Sequence, residues 1–214
     1  MTRTIFDFDI NERKTPTLFN SKGFNFLIGT DEAGRGPAAG ALYTAAVCFK
    51  NYDNLYEILP KLNDSKKLSE KTREDLFPII KENSIWSVRK IEIETIEKIN
   101  ILNASLYGMG LCAKDVIQQL KTDNVLILVD GNKGLKENFQ NKPVIKGDSK
   151  SAAIAAASIL AKVSRDNYMY ELDKKYPEYN FKNNKGYLTK DHINSIKKFG
   201  IKEIHRKTFL KNYI

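Results

Sequence analysis

Five consecutive apolar residues, Val125 to Val129, stop abruptly at Asp130 and Gly131. A short apolar run that ends at a turn indicates a strand covered on both faces, because a strand with one solvated face alternates apolar and polar side chains. Strands of this kind belong to sheets that carry helices on each side. The run therefore predicts an inner strand of an α/β sheet.

The other elements are predicted from turn residues and from the spacing of apolar side chains. Ser69 is a suitable N-cap for a helix over Leu68 to Glu82, and Leu102 to Leu120 places its apolar residues along one helical face. The expected architecture is an α/β sheet with a helical C-terminal extension. The remaining predicted elements are strands over Phe24 to Thr30, Gly40 to Lys50, Ile85 to Ile93 and Val144 to Ile145, and a long helix over Ser149 to Tyr170.

The chain of 214 residues is long enough for one globular domain with an appendage. Residues 1–22 are polar and are predicted to form a loosely attached N-terminal lead-in. Residues 23–170 are predicted to form the main domain. Residues 171–214 are predicted to form the C-terminal helical extension, built from short helices and loops.

The charge and cysteine content of the chain limit the kind of partner and the cellular compartment that we expect. The 35 basic and 26 acidic residues give a net charge of +9, which favours a polyanionic partner, although a lysine-rich solvated surface is the better interpretation of charge alone. Cys48 and Cys112 are predicted to be reduced core residues. The longest small-apolar run, Ala152 to Ala161, is too short to cross a bilayer. We expect a soluble cytoplasmic protein with no membrane contact and a monomer as the default state.

Two of the predicted strands end in carboxylates. Asp31 and Glu32 follow the first strand, and Asp130 follows the apolar run. If neighbouring parallel strands carry these acids, they meet at the carboxyl edge of the sheet, where α/β proteins form their sites. Asp148 stands at the start of the alanine-rich helix. The sequence thus offers four acids for one site.

Clustered carboxylates repel one another unless a cation neutralises them. Magnesium takes oxygen ligands, and a pair of such ions can hydrolyse a phosphodiester, which is the chemistry of a nuclease. Each acid also has a purely structural interpretation: Asp31 and Asp130 fit turns beside glycine equally well, and helix capping is the better interpretation of Asp148 alone. Asp166 lies in mid-helix, where an ion pair explains it better than a metal.

Six segments, in order along the chain, closely resemble the bacterial ribonuclease HII family. They run from about residue 26 to residue 209, and together they are far more specific than any single glycine-rich turn. The segments are Thr30 to Pro37, Asn63 to Ser69, Val129 to Asn132, Lys146 to Asp148 with Ala155 to Asp166, Asn184 to Thr189, and His205 to Phe209.

The resemblance implies a ribonuclease H-like fold, in which a mixed five-stranded sheet flanked by helices forms the catalytic domain. It assigns metal binding and catalysis to Asp31, Glu32, Asp130 and Asp148, and it leaves Asp166 out. It also implies two Mg²⁺ ions, or Mn²⁺ in their place. The implied partner is nucleic acid: the RNA strand of an RNA/DNA hybrid, or a single ribonucleotide in duplex DNA, cut on its 5′ side to leave 3′-OH and 5′-phosphate ends.

Substrate binding is implied for Gly34, Arg35, Gly36, Lys66 and Tyr187. Telling RNA from DNA requires contact with the 2′-OH, and glycines let the backbone approach that sugar closely. In similar enzymes the glycine-arginine-glycine turn grips the ribonucleotide, the tyrosine packs at the RNA–DNA junction, and the lysine contacts a phosphate. Without the resemblance, a core or surface aromatic would be the better interpretation of Tyr187.

Thr189, His192 and Arg206 are weaker candidates for supporting the site. His192 and His205 are too far apart in sequence to suggest a zinc pair. The segment Gly40 to Tyr43 departs from the family pattern, which predicts an altered start of the second strand without an effect on the acids.

Three other functions compete with this interpretation. Ribonuclease HIII is a relative with a different preference, and Arg35-Gly36-Pro37 favours HII. A ribonuclease H-like resolvase or integrase would use similar acids on DNA alone. A silent nucleic-acid-binding protein would explain the charge, but it has no reason to cluster four carboxylates.

Overall fold

The computed structural model describes residues 4–16, 20, 22–136, 138–211 and 213. Five strands in these residues form one sheet, in the order β3-β2-β1-β4-β5. β1 pairs with β2 and β2 with β3 in antiparallel fashion, whereas β1–β4 and β4–β5 are parallel. The predicted mixed five-stranded sheet is therefore confirmed. The strands are β1 Phe26–Ala33, β2 Leu42–Phe49, β3 Ser84–Ile91, β4 Val125–Asp130 and β5 Asn141–Val144.

Helices cover both faces of this sheet. α6 packs on one face against β1 and β2, and α5 packs on the other against β2 and β3. β4 lies between them with Val125 to Val129 all buried, as its apolar run predicts. The helices are α1 Ile5–Lys14, α2 Leu55–Ile58, α3 Glu70–Asn83, α4 Ile93–Ile99, α5 Ile101–Leu120, α6 Ala152–Lys175, α7 Phe181–Asn184, α8 Lys190–Phe199 and α9 Lys207–Leu210.

The alanine-rich start of α6 lets its backbone touch the sheet. A Cβ placed on Gly29 in β1 would lie 2.2 Å from the carbonyl carbon of Ala153, so no larger residue fits there. The six small or apolar residues from Ala152 to Ala157 are fully buried. Because α6 rests directly on β1, the loop that leads into α6 is brought to the edge where β1 ends.

Several local predictions are confirmed. Ser69 caps α3 by accepting a hydrogen bond from the backbone N–H of Thr72. Cys48 and Cys112 are free thiols buried in the core, and burial raises the pKa of Cys48 to about 12.

Apart from these predictions, the described residues contain no helix that could span a bilayer.

The segment predicted as a loose lead-in, residues 1–22, contains a packed helix in its described part, and residues 1–3, 17–19 and 21 lie outside the described residues. Residues 5–14 form α1, which Thr4 and Asp7 close with a reciprocal capping box. Phe6 is buried in the core beneath α6, and Asp9 is buried completely. One carboxylate oxygen of Asp9 accepts hydrogen bonds from the backbone N–H of Ala153 (2.8 Å) and from the Tyr52 hydroxyl (3.1 Å). The polar composition conceals this docking, because Phe6 and Asp9 are the buried residues of α1 and Ile5 and Phe8 pack against the core while partly buried.

Replacing Asp9 with Asn is expected to flatten the pH dependence of stability. Burial raises the pKa of Asp9 from 3.8 to about 7, so between these values the folded protein holds a proton that the unfolded chain releases. The free energy of unfolding therefore falls as the pH rises through this range, by on the order of 4 kcal/mol if the whole shift is expressed. Asparagine does not titrate in this pH range, and its side-chain oxygen can still accept the hydrogen bonds from Ala153 and Tyr52.

Urea unfolding at pH 5 and pH 8 checks this. We expect the wild type to lose stability between the two pH values, and the Asp9→Asn variant to be more stable than the wild type at pH 8. The exposed Asp53→Asn change serves as control and should leave the slope intact. An unchanged slope in the Asp9→Asn variant would contradict the assignment.

The C-terminal residues pack onto the end of α6. Met169 and Leu172 of α6 form one apolar cluster with Tyr179, Phe181 and residues farther along the chain. The predicted boundary between residues 170 and 171 consequently falls inside α6, because the helix continues to Lys175. The division into a catalytic domain and an extension stays a prediction.

Candidate active site

The carboxylates of β1 and β4 lie at the same edge of the sheet. Thr30 pairs with Val129, so Asp31 and Asp130 occupy equivalent positions on neighbouring parallel strands. The antiparallel pairing of β1 with β2 extends β1 to Ala33, which places Asp31 and Glu32 within the strand and not in a turn after it. All three acids line one open cavity of about 480 Å³.

Asp31 and Glu32 reach the cavity from opposite faces of the sheet, since successive side chains of a strand alternate. Asp31 contacts the Ser158 hydroxyl of α6, and Glu32 contacts Ser105 of α5. Asp31 is only 4% exposed. The two acids therefore straddle the end of the strand.

Asp148 lies in a short 3₁₀ turn, Gly147–Ser149, and is buried. Its carboxylate accepts a hydrogen bond from Lys66 Nζ at 3.3 Å, and Lys66 lines the cavity. The turn is attached to β4, because Asp130 Oδ1 accepts a 2.7 Å hydrogen bond from the Gly147 N–H. Ser151 and not Asp148 caps α6, so the capping interpretation of Asp148 is wrong.

The electrostatics of these acids show negative charge in excess. Burial, then the neighbouring carboxylates of Glu32 and Asp130, raise the pKa of Asp31 well above its ordinary value. Burial also raises the pKa of Glu32, against the opposing effect of Arg35. For Asp130, burial and the charge of Asp148 raise the pKa while the Gly147 N–H lowers it. Such a set of oxygen donors suits a divalent cation, which would relieve the repulsion.

The carboxylates are close but do not converge on one point. Within residues 4–16, 20, 22–136, 138–211 and 213, no three His, Cys, Asp or Glu side chains are placed to hold one ion together. Two basic side chains pair with the acids instead: Arg35 with Glu32, and Lys66 with Asp148, both at 3.3 Å. The side chains of Lys66 and Arg35 are 80% and 50% exposed, so both bases face the open cavity as well as the acids.

The glycine-rich turn and Tyr187 meet at the rim of the same cavity. Gly34 has φ +105°, and a Cβ there would lie 2.1 Å from Arg165 Nε. A Cβ on Gly36 would lie 3.2 Å from the Tyr187 ring, so the ring lies beside the space that the absent side chain of Gly36 leaves open. Tyr187 is 50% exposed, which leaves one side of its ring free. The structure thus places Gly34, Arg35, Gly36 and Tyr187 around one cavity, and their role in substrate binding stays a prediction.

Two buried arginines bind the backbone of this turn and of the residues that follow it. Arg206 Nη1 donates to the carbonyls of Gly34 (2.7 Å) and Pro37 (2.9 Å), and its Nε donates to that of Gly40 (2.9 Å). Arg165 donates to the carbonyls of Ala39, Ala41 and Lys185, each at 3.1 to 3.2 Å. Arg206 is a weak candidate from sequence, and sequence reasoning misses Arg165 as a supporting residue.

Sequence reasoning also misses several polar residues that line the cavity. The hydroxyls of Ser65 and Ser158 are 2.7 Å apart, beside Asp31. Lys162 lines the cavity and pairs with Asp166 at 2.6 Å. The ion-pair interpretation of Asp166 is confirmed. Ser65 and Ser158 come from distant segments, so the sequence does not show that they meet, whereas Lys162 and Asp166 lie one helical turn apart in α6.

Comparisons with known proteins identify the family of the chain. A family model described as Ribonuclease HII matches residues 28–212. The chain belongs to the ribonuclease HII family. It is 46% identical over 208 residues to ribonuclease HII of Caldicellulosiruptor bescii, covering 97% of this chain and 95% of that protein. It is 47% identical over 211 residues to ribonuclease HII of Endomicrobium trichonymphae, covering 98% and 93%.

A solved structure supports the same family at the level of fold. The crystal structure of ribonuclease H2 from Pyrococcus horikoshii OT3 superposes with a TM-score of 0.67 at 26% identity, covering 87% of this chain and all of that one. The ribonuclease H-like fold expected from the sequence is confirmed. As a ribonuclease HII family member, the chain is a metal-dependent ribonuclease, a hydrolase that acts on nucleic acid.

Proposed function

We propose that the protein cuts the RNA strand of RNA/DNA hybrids and cuts duplex DNA on the 5′ side of single embedded ribonucleotides. The products are 3′-OH and 5′-phosphate ends. One observation carries the proposal: the Tyr187 ring lies beside Gly36, and the Gly34–Gly36 turn and Tyr187 line the same cavity as Asp31, Glu32 and Asp130. The turn and the tyrosine, which are suited to sugar recognition, thus lie beside the acids, which are suited to hydrolysis.

The proposed metal ligands are Asp31, Glu32, Asp130 and Asp148, which would hold two divalent cations, Mg²⁺ or Mn²⁺. When bound, such cations supply an activated water and neutralise the charge on the departing 3′ oxygen. The chain contributes four rigidly placed carboxylates, of which Asp130 is oriented by the Gly147 N–H. Support comes from the raised pKa values of Asp31, Glu32 and Asp130, since a cation would relieve that charge crowding.

The turn is proposed to recognise the 2′-OH with its backbone. Gly34 and Gly36 present no side chain, and Arg206 engages the carbonyl of Gly34 from the inside. A ribose approaching from the cavity would therefore meet backbone groups held in fixed positions, which is what discrimination by a small hydroxyl requires. Tyr187 is proposed to pack on the sugar at the RNA–DNA junction.

Lys66 and Arg35 are proposed to bind substrate phosphates. Both line the cavity, and the side chain of Lys66 is 80% exposed while that of Arg35 is 50% exposed. Before substrate binds, Lys66 pairs with Asp148 and Arg35 pairs with Glu32, and the two bases balance part of the negative charge of these acids. Our proposal also includes the monomeric state and the cytoplasmic location expected from the sequence, with which the two free thiols of the core are compatible.

Cleavage of labelled duplex DNA that contains one ribonucleotide tests the proposal. We expect nicking on the 5′ side of the ribonucleotide with Mg²⁺, no nicking with EDTA, and no cleavage of an all-DNA duplex. Cleavage of the all-DNA control would favour a DNA resolvase or integrase. If only a long RNA/DNA hybrid is cut, the specificity is that of an HIII-like enzyme; if neither substrate is cut, the proposal is wrong.

A further inference from the structure

Two buried histidines contact each other beside the backbone of Tyr187. His192 lies in α8 and His205 precedes α9, and their side chains meet with the two Nε2 atoms 3.2 Å apart. His192 is fully buried and His205 is 2% exposed. Nothing in the sequence pairs these two residues, yet the fold brings their ring nitrogens into contact.

Hydrogen bonds at the two outer ends fix the proton positions. His192 Nδ1 lies 2.9 Å from the carbonyl oxygen of Tyr187, which can only accept, so His192 carries its proton on Nδ1. His205 Nδ1 accepts the backbone N–H of Lys202 at 3.0 Å and is therefore bare. His205 must then carry its proton on Nε2 and donate it to the bare Nε2 of His192. The chain of hydrogen bonds is complete only when both rings are neutral.

The surroundings favour this neutral state. The rings of Tyr179 and Phe181, both fully buried, pack edge-on against the two imidazoles. Burial, then the adjacent imidazole of His192, lowers the pKa of His205 to about 4, although Glu203 acts in the opposite direction. Burial also lowers the pKa of His192.

This chain of hydrogen bonds joins the two elements proposed to read the ribonucleotide. One end holds the carbonyl of Tyr187. At the other end, His205 is followed directly by Arg206, whose guanidinium holds the carbonyls of the glycine-rich turn. The backbone of the same segment also binds the turn, because the Arg206 N–H donates to the Ala38 carbonyl at 2.7 Å.

We propose that His192 and His205 are positioning residues that set the placement of Tyr187 relative to the glycine-rich turn, and thereby set the preference for a single embedded ribonucleotide. This inference rests on the proposed role of Tyr187 at the RNA–DNA junction. Neither histidine contacts substrate. They act through the Tyr187 carbonyl, which has a second donor only in the backbone N–H of Thr189 among the described residues.

Two matched variants of His192 separate positioning from general stability. The side-chain amide nitrogen of asparagine is as many bonds from Cα as Nδ1 of histidine. His192→Asn therefore keeps a donor for the Tyr187 carbonyl. The side-chain amide of glutamine is as many bonds from Cα as Nε2 of histidine. His192→Gln therefore keeps the contact with His205 and loses the donor for the Tyr187 carbonyl. Both variants remove one buried hydrogen bond and retain a polar side chain.

The readout is a ratio of kcat/KM values, that for a duplex with one ribonucleotide divided by that for a long RNA/DNA hybrid. We expect His192→Gln to lower this ratio by about tenfold, because a small displacement of a positioned group is costly to reaction. His192→Asn should stay near the wild-type ratio. Equal ratios in both variants and the wild type would overturn the proposal.

A double-mutant cycle with Tyr187→Ala completes the test. If the histidines act through Tyr187, His192→Gln lowers the ratio no further once the tyrosine ring is absent. A further loss in that background overturns the proposal. If Tyr187→Ala itself leaves the ratio unchanged, the proposed role of Tyr187 is wrong and so is the inference that rests on it. If Tyr187→Ala lowers the ratio but His192→Gln does not, only the inference about the histidines is wrong.

The wild-type protein supplies a check that does not depend on variants folding. Nitrogen-15 NMR of the imidazoles at pH 7 should show two neutral rings, with the proton on Nδ1 of His192 and on Nε2 of His205. A charged ring, or either opposite tautomer, would contradict the chain of hydrogen bonds.

Discussion

Replacing Asp130 with Asn is expected to abolish cleavage while duplex binding persists. Asparagine retains an oxygen for the Gly147 N–H, so the link between β4 and the turn that carries Asp148 survives. What is lost is one negative charge from the acids at the sheet edge, and with it the affinity for divalent cations. We expect the rate on the single-ribonucleotide duplex to fall roughly 10²–10³-fold or more, the scale of losing an electrostatic stabiliser of the transition state.

Cleavage rates and binding by fluorescence anisotropy in EDTA measure the two effects separately. Binding should be equal to that of the wild type or tighter, because the phosphate backbone meets one negative charge fewer. Asp115→Asn is the control: Asp115 pairs with Arg89 on the outer surface, away from the cavity, and its loss should leave the rate unchanged. Retained cleavage in the Asp130→Asn variant would remove this residue from the catalytic site.

The second large effect is expected from Gly34→Ala, with Gly131→Ala as its matched control. Both glycines have φ +105°, a region that costs a residue with a Cβ about 1–3 kcal/mol. A Cβ on Gly131 meets nothing within 4 Å, whereas a Cβ on Gly34 would lie 2.1 Å from Arg165 Nε. Arg165 cannot yield easily, because it is buried and bonded to three backbone carbonyls.

We therefore expect Gly34→Ala to lower the free energy of unfolding by about 1–3 kcal/mol more than Gly131→Ala does. Cleavage of the single-ribonucleotide duplex by the Gly34→Ala variant should fall roughly 100-fold, since the turn must move away from its position beside Tyr187. Urea unfolding and single-turnover cleavage supply the two quantities. Equal stability of the two variants would show that Arg165 does not hold the turn rigidly.

Much of the sheet and the acidic edge can be predicted because the signals are local. The apolar run of β4 requires cover on both faces, and Asp31 and Asp130 lie near the carboxyl ends of strands whose parallel pairing places them side by side. The position of Asp148 is predictable only through the family resemblance. By itself, an acid before an alanine-rich helix indicates a cap, and the structure gives that role to Ser151.

The parts that escape prediction depend on contacts between distant segments. α1 docks through Phe6 and Asp9, and Asp9 binds the start of α6 far along the chain. Arg165 and Arg206 bind carbonyl oxygens, which every residue possesses, so no pattern of side chains could reveal their partners. The pairing of His192 with His205 likewise arises from the packing of the C-terminal helices.

The way the two arginines hold the turn has a consequence for how freely its sequence can drift. Both bind main-chain oxygens in this region, including those of Gly40 and Ala41, within the segment that departs from the family pattern. An exchange of side chains at Ala41, Leu42 or Tyr43 leaves these hydrogen bonds in place as long as the new residues fit the space. Gly40 cannot change in this way, because its φ is +83° and a Cβ there would lie 2.7 Å from Met169 Sδ. The residues after Gly40 can therefore diverge while the backbone of this region keeps its shape.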